Sequence, residues 1–433
     1  MKNSFLFIMA LVILAAFSLC SCIGDDYKKD EITAEDGDKS TEDGDDDTID
    51  GDADLEMEEE LEAELEEEME AEEEAPWVLP YSSPEARGSY NAGASQVQFV
   101  NAEQERDLPG FIWYPTFETE GMGFNYDYII PTEGAIMDPP IADEGPFPVV
   151  IFSHGSQAFA QQSFYLTEYL ASHGFIVAAP NHIGNTTATD DSSRMGYIAQ
   201  QRPRDLSIVI DHLEQWNEDE NHILYHKMDL SKISAVGHSF GGFTVVYVAG
   251  GTVDLASSQA YCESLEDISQ NAFCKLMKKE QLEQIDPELN VHDPRIKAVV
   301  PQAPAGFAFF TDAGMKQIKI PVQLQVGDLD LTVPHVDSLN MYDSLNPVKQ
   351  LLLLKGAGHF TFSNMCILLP NMGDGCGEDG LDWGQATWLS NTYALSFIRY
   401  YVLGEERDAE YLTDEYANKF EEVVFSHEEK ASE

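Results

Sequence analysis

The sequence predicts an α/β domain in which helices cover both faces of a mostly parallel central sheet. Short, continuously apolar segments alternate along the chain with amphipathic ones, as expected when buried parallel strands are connected through helices. A glycine-flanked junction between a strand and a helix, SAVGHSFGGFTVVYV at residues 234–248, fits the same architecture. We therefore expect one large domain over residues 76–433, preceded by segments of different composition.

The predicted elements follow one another in a regular order. Residues 94–101 and 111–118 are rich in aromatic and β-branched side chains with partial alternation, which indicates strands. Continuous apolar segments predict buried strands at residues 147–156, 175–182, 233–239, 296–304, 322–328 and 350–359. Helical periodicity predicts helices at residues 163–174, 202–217, 241–250 and 385–403.

The N-terminal end has the pattern of an export signal. Lys2 precedes an apolar segment at residues 5–19, which is shorter than the roughly twenty residues of a membrane span and typical of a signal peptide. Leu19-Cys20-Ser21-Cys22 resembles the lipidation box of bacterial lipoproteins, which predicts a signal peptide over residues 1–21 and lipid attachment to Cys22. Cys20 fits less well because the bulky Leu19 precedes it. An ordinary cleaved signal peptide is the alternative.

An acidic segment follows at residues 22–75. The chain has 24 basic and 78 acidic residues, for a net charge of −54. Between Asp25 and Ala75 stand 28 acidic and 3 basic residues, so this part carries −25. Few apolar residues are available for a core, and we interpret the segment as a disordered, solvated tether. The negative charge also excludes nucleic acid as a partner, because phosphate backbones are repelled.

A nucleophile is predicted at the glycine-flanked junction. Gly237-His238-Ser239-Phe240-Gly241 matches Gly-x-Ser-x-Gly between a predicted strand and a predicted helix. In this sharp turn the serine hydroxyl is raised above the sheet edge, and side chains at the glycines would collide with neighbouring elements. A tight turn with an incidental serine is the alternative. The matching context on both sides favours Ser239 as the nucleophile.

A serine nucleophile needs a base, and the base needs an orienting acid. His359 lies in a glycine-rich loop after a predicted strand and follows the serine in the chain, which makes it the predicted base. His335 is the rival, but it lies only five residues beyond Asp330. The loop after the strand at residues 322–328 offers two acids, Asp328 and Asp330.

The chain resembles the α/β-hydrolase superfamily. VGDLDLTVP resembles the pattern Gly-x-x-Asp-x-x-x-Pro, whose register selects Asp330 as the acid and leaves Asp328 as a loop residue. The segments GHSFGG, VVIFSHGS, YLASHGFIVAAPNHIGNT, DPRIKAVVPQAPAG and GHFTFSNMC resemble the predicted dienelactone hydrolase group, which is related to platelet-activating factor acetylhydrolases and bacterial polyester hydrolases. This likeness, over roughly residues 90–403, implies an α/β-hydrolase fold.

Two departures limit the resemblance. Dienelactone hydrolases use a cysteine nucleophile, whereas this chain has Ser239, so that reaction is not implied. Plasma-type acetylhydrolases carry their acid after the strand that here ends in VVPQAPAG, where Gln302 stands and no aspartate is present. The second departure again favours Asp330.

An oxyanion hole requires two preorganised N–H donors. The geometry of the serine turn predicts the amide of Phe240 as one of them. The resemblance implies the residue after His154-Gly155, which is Ser156, as the other, with Gly155 as the alternative. A simple His-Gly turn without this role remains open.

Two insertions carry the four remaining cysteines. In an exported chain, the near-sequence pairs Cys262 with Cys274 and Cys366 with Cys376 predict two short-loop disulfides; a zinc site would need closer spacing with histidine partners. We expect the first insertion, about residues 252–293, to form a helical cap over the acyl pocket. The second insertion follows His359. We interpret its carboxylates as solvated, and calcium binding is the alternative. These carboxylates are Asp374, Glu378, Asp379 and Asp382.

These features together predict a lipid-anchored serine ester hydrolase of the carboxylesterase or lipase type in the bacterial cell envelope. The predicted substrates are small-molecule, lipid or polyester esters, and the reaction needs no cofactor and no metal. A hydrolase-fold binding lipoprotein without activity, or another serine-triad activity such as a peptidase or acyltransferase, remains open. The complete set of Ser239, His359 and Asp330 favours the enzyme.

Overall fold

The computed structural model describes residues 77–126, 130–268, 271–377 and 380–429. The predicted signal peptide, the acidic tether and Cys22 lie outside these residues. Within the described ranges, no helix is sufficiently long and apolar to cross a membrane.

A single mixed sheet of eleven strands organises the domain, in the order β11-β10-β9-β8-β7-β5-β6-β2-β1-β4-β3. Its six central strands, from β10 to β6, are parallel, which confirms the predicted fold class. The strands are β1 (Asn91–Asn101), β2 (Arg106–Thr116), β3 (Met122–Tyr126), β4 (Ile130–Met137), β5 (Phe147–Ser153), β6 (Ile176–Pro180), β7 (Met228–His238), β8 (Ile296–Gln302), β9 (Val322–Gly327), β10 (Lys349–Leu354) and β11 (Val423–Glu428).

The sheet is antiparallel towards its two ends. On one side β2 pairs antiparallel with β6 and with β1, β4 runs parallel to β1, and β3 pairs antiparallel with β4. On the other side the C-terminal strand β11 pairs antiparallel with β10. The parallel strands between them end at one common edge, where the loops with the predicted site residues meet.

Helices lie on both faces of the sheet. The α-helices among the described residues are α1 (Phe164–Ser172), α2 (Met195–Glu218), α3 (Phe240–Val248), α4 (Leu255–Ser264), α5 (Ala272–Leu276), α6 (Lys279–Leu282), α7 (Phe307–Met315), α8 (Val336–Ser344), α9 (Met365–Leu368), α10 (Trp383–Ile398) and α11 (Asp414–Ala417). Short 3₁₀ segments span Ser192–Arg194, His359–Phe362 and Glu406–Leu412, and a π-helical turn spans Arg399–Leu403.

Two hydrophobic cores fill the spaces between sheet and helices. One contains buried side chains of α2, α3, α7 and α8, such as Leu206 and Phe243. The other contains side chains of α1 and α10, such as Leu170 and Tyr393. Because the central strands contribute to both cores, β5, β6 and the second half of β7 are nearly continuous in apolar residues, as the sequence pattern indicated.

A row of buried amides interrupts this apolar interior. Gln302 on β8 donates to Gln325 Oε1 on β9 at 2.9 Å, Gln325 donates to Gln323 Oε1 at 2.9 Å, and Gln323 donates to Gln350 Oε1 on β10 at 2.8 Å. Ser390 of α10 donates to Gln325 Oε1 at 2.6 Å. We call these four glutamines the glutamine ladder; all are fully buried or nearly so.

The first insertion is helical, as predicted, and contains α4, α5 and α6. It packs on helices at the side of the sheet: Tyr261 stacks edge-on against Phe307 of α7, and Asn271 donates to Asp337 of α8 at 3.0 Å. None of the hydrogen bonds or ring contacts in the described part of the insertion reaches Ser239, Asp330 or His359. A covering role over the acyl pocket therefore stays a prediction.

Both predicted disulfides are confirmed. Cys262 bonds to Cys274 within the first insertion, and Cys366 bonds to Cys376 within the second.

Candidate active site

Ser239 stands at the turn between β7 and α3. Its backbone has φ 59° and ψ −117°, a conformation that costs energy for any residue with a side chain. A side-chain carbon added to Gly237 would lie 2.3 Å from Gly241 O, and one added to Gly241 would lie 1.8 Å from Ser153 O. The two glycines are therefore required by the close approach of backbone, as the Gly-x-Ser-x-Gly pattern predicts.

The structure brings Ser239, His359 and Asp330 into one hydrogen-bonded line. Ser239 Oγ lies 2.8 Å from His359 Nε2, and His359 Nδ1 lies 2.8 Å from Asp330 Oδ2. Since a carboxylate accepts, Nδ1 donates to Asp330, and Nε2 is left to accept the serine proton. The side chains of His359 and Asp330 are 3% and 2% exposed, whereas Ser239 is partly accessible from solvent.

The competing acids and base lie elsewhere. Asp328 Oδ1 accepts from the Gly356 amide at 2.7 Å, so it fixes the loop before the base and does not contact the imidazole. Asp312, after the preceding strand, pairs with Lys316 at the surface. His335 precedes α8, and within the described residues its ring has no hydrogen bond to either loop aspartate.

The predicted oxyanion donors differ in availability. Gly155 N–H is occupied, because it donates to Gln162 Oε1 at 2.6 Å. The amides of Ser156 and Phe240 have no hydrogen-bond partner among the described residues. A side-chain carbon added to Gly155 would lie 3.5 Å from Ser239 Cβ, so this loop passes beside the nucleophile. Of the two candidates in the loop, Ser156 has the amide that a substrate could use.

His154 orients the peptide that carries the Ser156 amide. Its Nδ1 donates to Gly155 O at 2.7 Å, while its Nε2 accepts from the His182 amide at 3.0 Å. These two bonds fix one neutral tautomer. Burial and the nearby Arg202 hold the pKa of His154 well below its usual value, so the ring stays neutral. With the Gly155 carbonyl held by His154, the Ser156 N–H must point the opposite way.

A buried cation lies behind the same loop. The Arg202 guanidinium donates to the His154 carbonyl and, at 2.6 Å, to Asn185 Oδ1. It also lies 4.8 Å from the ring of Phe240. Burial lowers the pKa of Arg202 to about 9, although Asp205 opposes the shift, so it is charged at neutral pH. The positive charge favours negative charge developing in front of the loop.

Asp205 compensates part of this charge. Its carboxylate accepts from Arg106 at 2.7 Å and from His182 Nδ1 at 2.9 Å. Burial raises the pKa of Asp205 to about 6, against the effect of Arg106. The ring of His182 then accepts from Ser153 Oγ at 2.9 Å, and Ser153 Oγ in turn accepts from Arg202 at 3.2 Å, so the polar network closes on the buried cation.

A second hydrogen-bonded chain connects the oxyanion loop to the base. Gln162 accepts from Gly155 and donates to His238 Nδ1 at 2.5 Å, and His238 Nε2 donates to the backbone carbonyl of His359 at 2.9 Å. Burial, followed by the proximity of His359, lowers the pKa of His238 well below its usual value. His238 thus acts as a neutral link between the two loops.

The described residues contain no group of side chains that could hold a metal ion. In the second insertion, Asp374 accepts from backbone amides and a hydroxyl, and Asp382 caps α10 by accepting from Gln385 N–H at 2.9 Å. Glu378 and Asp379 lie outside the described residues.

Sequence reasoning missed several residues of this site. His154 and His238 lie within the segments VVIFSHGS and GHSFGG, but their hydrogen-bond partners could not be predicted from those segments. Gln162, Arg202 and Asp374 reach the site only through tertiary contacts, and no local pattern marks them.

Four similarities to known proteins bear on the chain. A chlorophyllase family model matches residues 125–264, which include the serine turn. Platelet-activating factor acetylhydrolase of Cavia porcellus is 27% identical over 222 residues, covering 38% of this chain and 51% of the relative. Chlorophyllase-1 of Citrus unshiu is 31% identical over 106 residues, covering 24% of this chain and 29% of the relative.

The matches support the α/β-hydrolase serine-hydrolase group to which the motifs point. A further relative, the acylamino-acid-releasing enzyme of Mus musculus, is 23% identical over 296 residues, covering 61% of this chain and 36% of the relative. The chain spans about half the length of the acetylhydrolase it matches. The predicted resemblance to the acetylhydrolase-like group of this superfamily is confirmed.

Proposed function

We propose that this chain is a serine ester hydrolase that works through an acyl-enzyme. The observation that carries the proposal is the continuous hydrogen-bonded line from Ser239 through His359 to Asp330. Beside it lie the amides of Phe240 and Ser156, which have no partner in the part of the chain that the structure describes. The names of the relatives, an acetylhydrolase and chlorophyllases, support an ester as the substrate.

The proposed reaction has two halves, acylation of Ser239 and hydrolysis of the acyl-enzyme, and the same groups act in both. Ser239 Oγ attacks the ester carbonyl carbon while His359 Nε2 takes the hydroxyl proton. The amides of Phe240 and Ser156 hold the oxyanion of the tetrahedral intermediate. His359 returns the proton to the departing alcohol, and the acyl group stays on Ser239. Water then attacks with His359 as the base, which releases the acid and restores the serine.

Asp330 stabilises the imidazolium that forms in both halves. It also keeps Nδ1 as the donor, so that Nε2 faces the serine. The buried charge of Arg202 adds to the stabilisation of the oxyanion through the loop that it holds.

An amide-cleaving activity is the second candidate, because the chain is similar to an enzyme named for releasing acylamino acids. An inactive binding protein is less well supported, because such a protein would not need the strained serine backbone or the aligned base and acid.

A covalent probe tests the proposal. A fluorophosphonate should add one adduct, which peptide mass spectrometry should locate on Ser239, and a Ser239→Ala variant should remain unlabelled. A panel of p-nitrophenyl esters of increasing acyl length, with an N-acetylamino acid p-nitroanilide alongside, then separates ester from amide cleavage. Absence of labelling, or equal labelling of both proteins, would refute the nucleophile.

We further propose that the enzyme is exported and anchored to the bacterial envelope by a lipid on Cys22. The box at residues 19–22 and the acidic segment behind it support this placement. A single acyl chain binds membranes only marginally, so a diacylated cysteine is needed for firm attachment. A Cys22→Ala variant should move from the membrane to the soluble fraction, and Cys20→Ala should not. If the Cys22→Ala variant still pellets with the membranes as the wild-type protein does, the proposed lipid anchor is wrong.

A further inference from the structure

Asp374 joins the loop of the acid to the loop of the base. Its Oδ1 accepts from the Leu331 amide at 2.8 Å and from the His359 amide at 3.0 Å. Its Oδ2 accepts from Thr332 Oγ1 at 2.7 Å. One carboxylate thus binds the two residues that follow Asp330 and the backbone of the base itself.

The backbone of the second insertion is pressed against the same loop. Phe360 N–H donates to Asp374 O at 2.9 Å. A side-chain carbon added to Gly358 would lie 2.3 Å from the carbonyl carbon of Asp374, and one added to Gly375 would lie 2.3 Å from Thr361 Oγ1. Glycine at both positions permits this approach, so Asp374 is held directly beside the base.

The disulfide fixes the segment that presents Asp374. Cys366 and Cys376 are bonded, and Gly373 and Cys376 exchange backbone hydrogen bonds of 3.0 and 3.2 Å around Asp374. Asp374 itself has φ 51°, a left-handed conformation that aspartate tolerates better than most residues. The turn is therefore short and closed at its base by the covalent bond.

No cation compensates this carboxylate among the described residues: Asp374 has no ion pair there, and three neutral donors hold it. Without these three donors, the carboxylate of Asp374 would be solvated by water, as surface carboxylates usually are. Other contacts between the two loops lie nearer the strand ends, such as Leu329 N–H to Ala357 O at 2.9 Å. The hydrogen bonds of Asp374, by contrast, reach the backbone of His359 and the two residues that follow Asp330.

We propose that Asp374 is a positioning residue that sets the distance between acid and base, and that the Cys366–Cys376 disulfide keeps it in place. The inference rests on the proposed hydrolase function. Asp374 touches no reacting atom. It acts because a displacement of about 1 Å at a catalytic group can lower turnover by about a hundredfold.

Two substitutions separate the carboxylate from the backbone conformation. Asp374→Gly removes all three hydrogen bonds but accepts the left-handed conformation freely. Asp374→Asn also tolerates it, keeps Oδ1 for both amides, and turns its NH₂ towards the Thr332 hydroxyl, which can accept. Positioning therefore predicts rescue by asparagine.

Steady-state kinetics on a p-nitrophenyl ester and the rate of fluorophosphonate labelling give the readout. We expect Asp374→Gly to lower kcat and the labelling rate by tenfold to a hundredfold, with KM changed by less than about twofold. Asp374→Asn should stay within about threefold of wild type. Thr332→Val, which removes one bond and leaves the fold undisturbed, should lie between them.

The disulfide has a matched control in the same chain. Replacing Cys366 and Cys376 by alanine should lower kcat by about tenfold, since Asp374 loses its support. The same replacement of Cys262 and Cys274, in the insertion whose described part makes no hydrogen bond or ring contact with the triad, should leave kcat within about twofold.

The outcomes distinguish the inference from the function. A wild-type protein that is neither labelled nor active refutes the proposed hydrolase. An active wild type with an unchanged Asp374→Gly variant refutes the positioning role alone, and so does equal loss in the glycine and asparagine variants. If Asp374→Gly does not fold, the Thr332→Val variant and the variant with Cys366 and Cys376 replaced by alanine decide the question. A wild-type kcat in both of these variants would overturn the proposal.

Discussion

Asp330 and Asp328 stand two residues apart in one loop, but only Asp330 contacts the imidazole. Asn at position 330 keeps the shape and loses the charge, so the wrong tautomer of His359 is favoured. We expect Asp330→Asn to lower kcat by roughly ten-thousandfold in a folded protein. Asp328→Asn keeps an oxygen for the Gly356 amide and should retain most of the activity.

Ester hydrolysis by the two purified variants, with circular dichroism to confirm folding, measures this ranking. The reverse order would move the acid to Asp328. Two mild effects would mean that neither loop aspartate is the acid.

Gln162 is the residue through which the oxyanion loop is fixed to the base. Methionine has a similar length but can neither accept from Gly155 nor donate to His238. We expect Gln162→Met to lower kcat about tenfold, because an oxyanion donor and the base both lose support, and to lower stability by about 1–3 kcal/mol, because a buried amide is left unpaired.

Kinetics and urea denaturation of Gln162→Met provide the check, with the exposed Gln259→Met as the control. A Gln162→Met variant with wild-type kcat would show that the chain from Gly155 to His359 is structural only.

At this scale the sequence was informative where chemistry imposes a local pattern. Ser239, His359 and Asp330 could be predicted because each lies in a loop after a strand, in a fixed order along the chain. Gln162 and Asp374 could not, because their partners are distant in sequence and glutamine or aspartate in a loop is common.

Asp337, at the start of α8, ties three elements together. Its carboxylate accepts from the amides of Gly306 and Phe307 at the start of α7, and from Asn271 of the first insertion. Burial raises the pKa of Asp337 against these hydrogen bonds. Alanine would leave the start of α7 without its acceptor and release the insertion.

We expect Asp337→Ala to lower the free energy of unfolding by about 2–4 kcal/mol and to speed proteolysis within residues 252–293. Urea denaturation and limited proteolysis with mass spectrometry measure the two effects. Asp343→Ala, an exposed position on the same helix, is the control. Equal behaviour of the two variants would contradict the role of Asp337.

The strands that sequence reasoning missed share a physical cause. β3 and β4 are interrupted by glycine and proline, and β11 follows a long stretch of short turns near the C-terminus. Their strand conformation depends on pairing, of β4 with β1, of β3 with β4 and of β11 with β10, which a local pattern does not reveal. The central strands and long helices were found because their own composition requires burial.

Four buried histidines govern the response of the whole domain to acid. They are His154, His173, His182 and His238, and burial is the first cause of the lowered pKa of each. The pKa of His173 falls to about 3. The unfolded chain binds these protons near pH 6.5, and the folded chain does not. Their contribution to stability is therefore complete above pH 6.5 and is lost as the pH falls below it.

Four buried carboxylates, Glu168, Asp205, Asp337 and Asp408, act in the opposite direction. Burial raises the pKa of Asp205 and of Asp408 to about 6, so their cost to the folded state is relieved as the pH falls below 6. The histidines titrate first, because their pKa in the unfolded chain, near 6.5, lies above the pKa of about 6 that burial gives Asp205 and Asp408. We expect the free energy of unfolding to fall by about 1–2 kcal/mol between pH 7 and pH 6.

Urea denaturation at half-unit steps of pH tests this expectation. His173→Gln should flatten the pH dependence of the free energy of unfolding, whereas His427→Gln, at an exposed position, should not. Constant or rising stability between pH 7 and pH 6 would contradict the prediction.

The glutamine ladder has a consequence for how the sheet chooses its alignment. β10 reads KQLLLL, and four successive leucines would fit their neighbours equally well after a shift along the strand. A shift by one residue would turn Gln350 to the opposite face and leave Gln323 without its partner. Gln350 is thus the residue of β10 that distinguishes one alignment from the next. Because a short loop at residues 355–358 connects β10 to His359, the amide that fixes this alignment also fixes how far the base extends beyond the sheet.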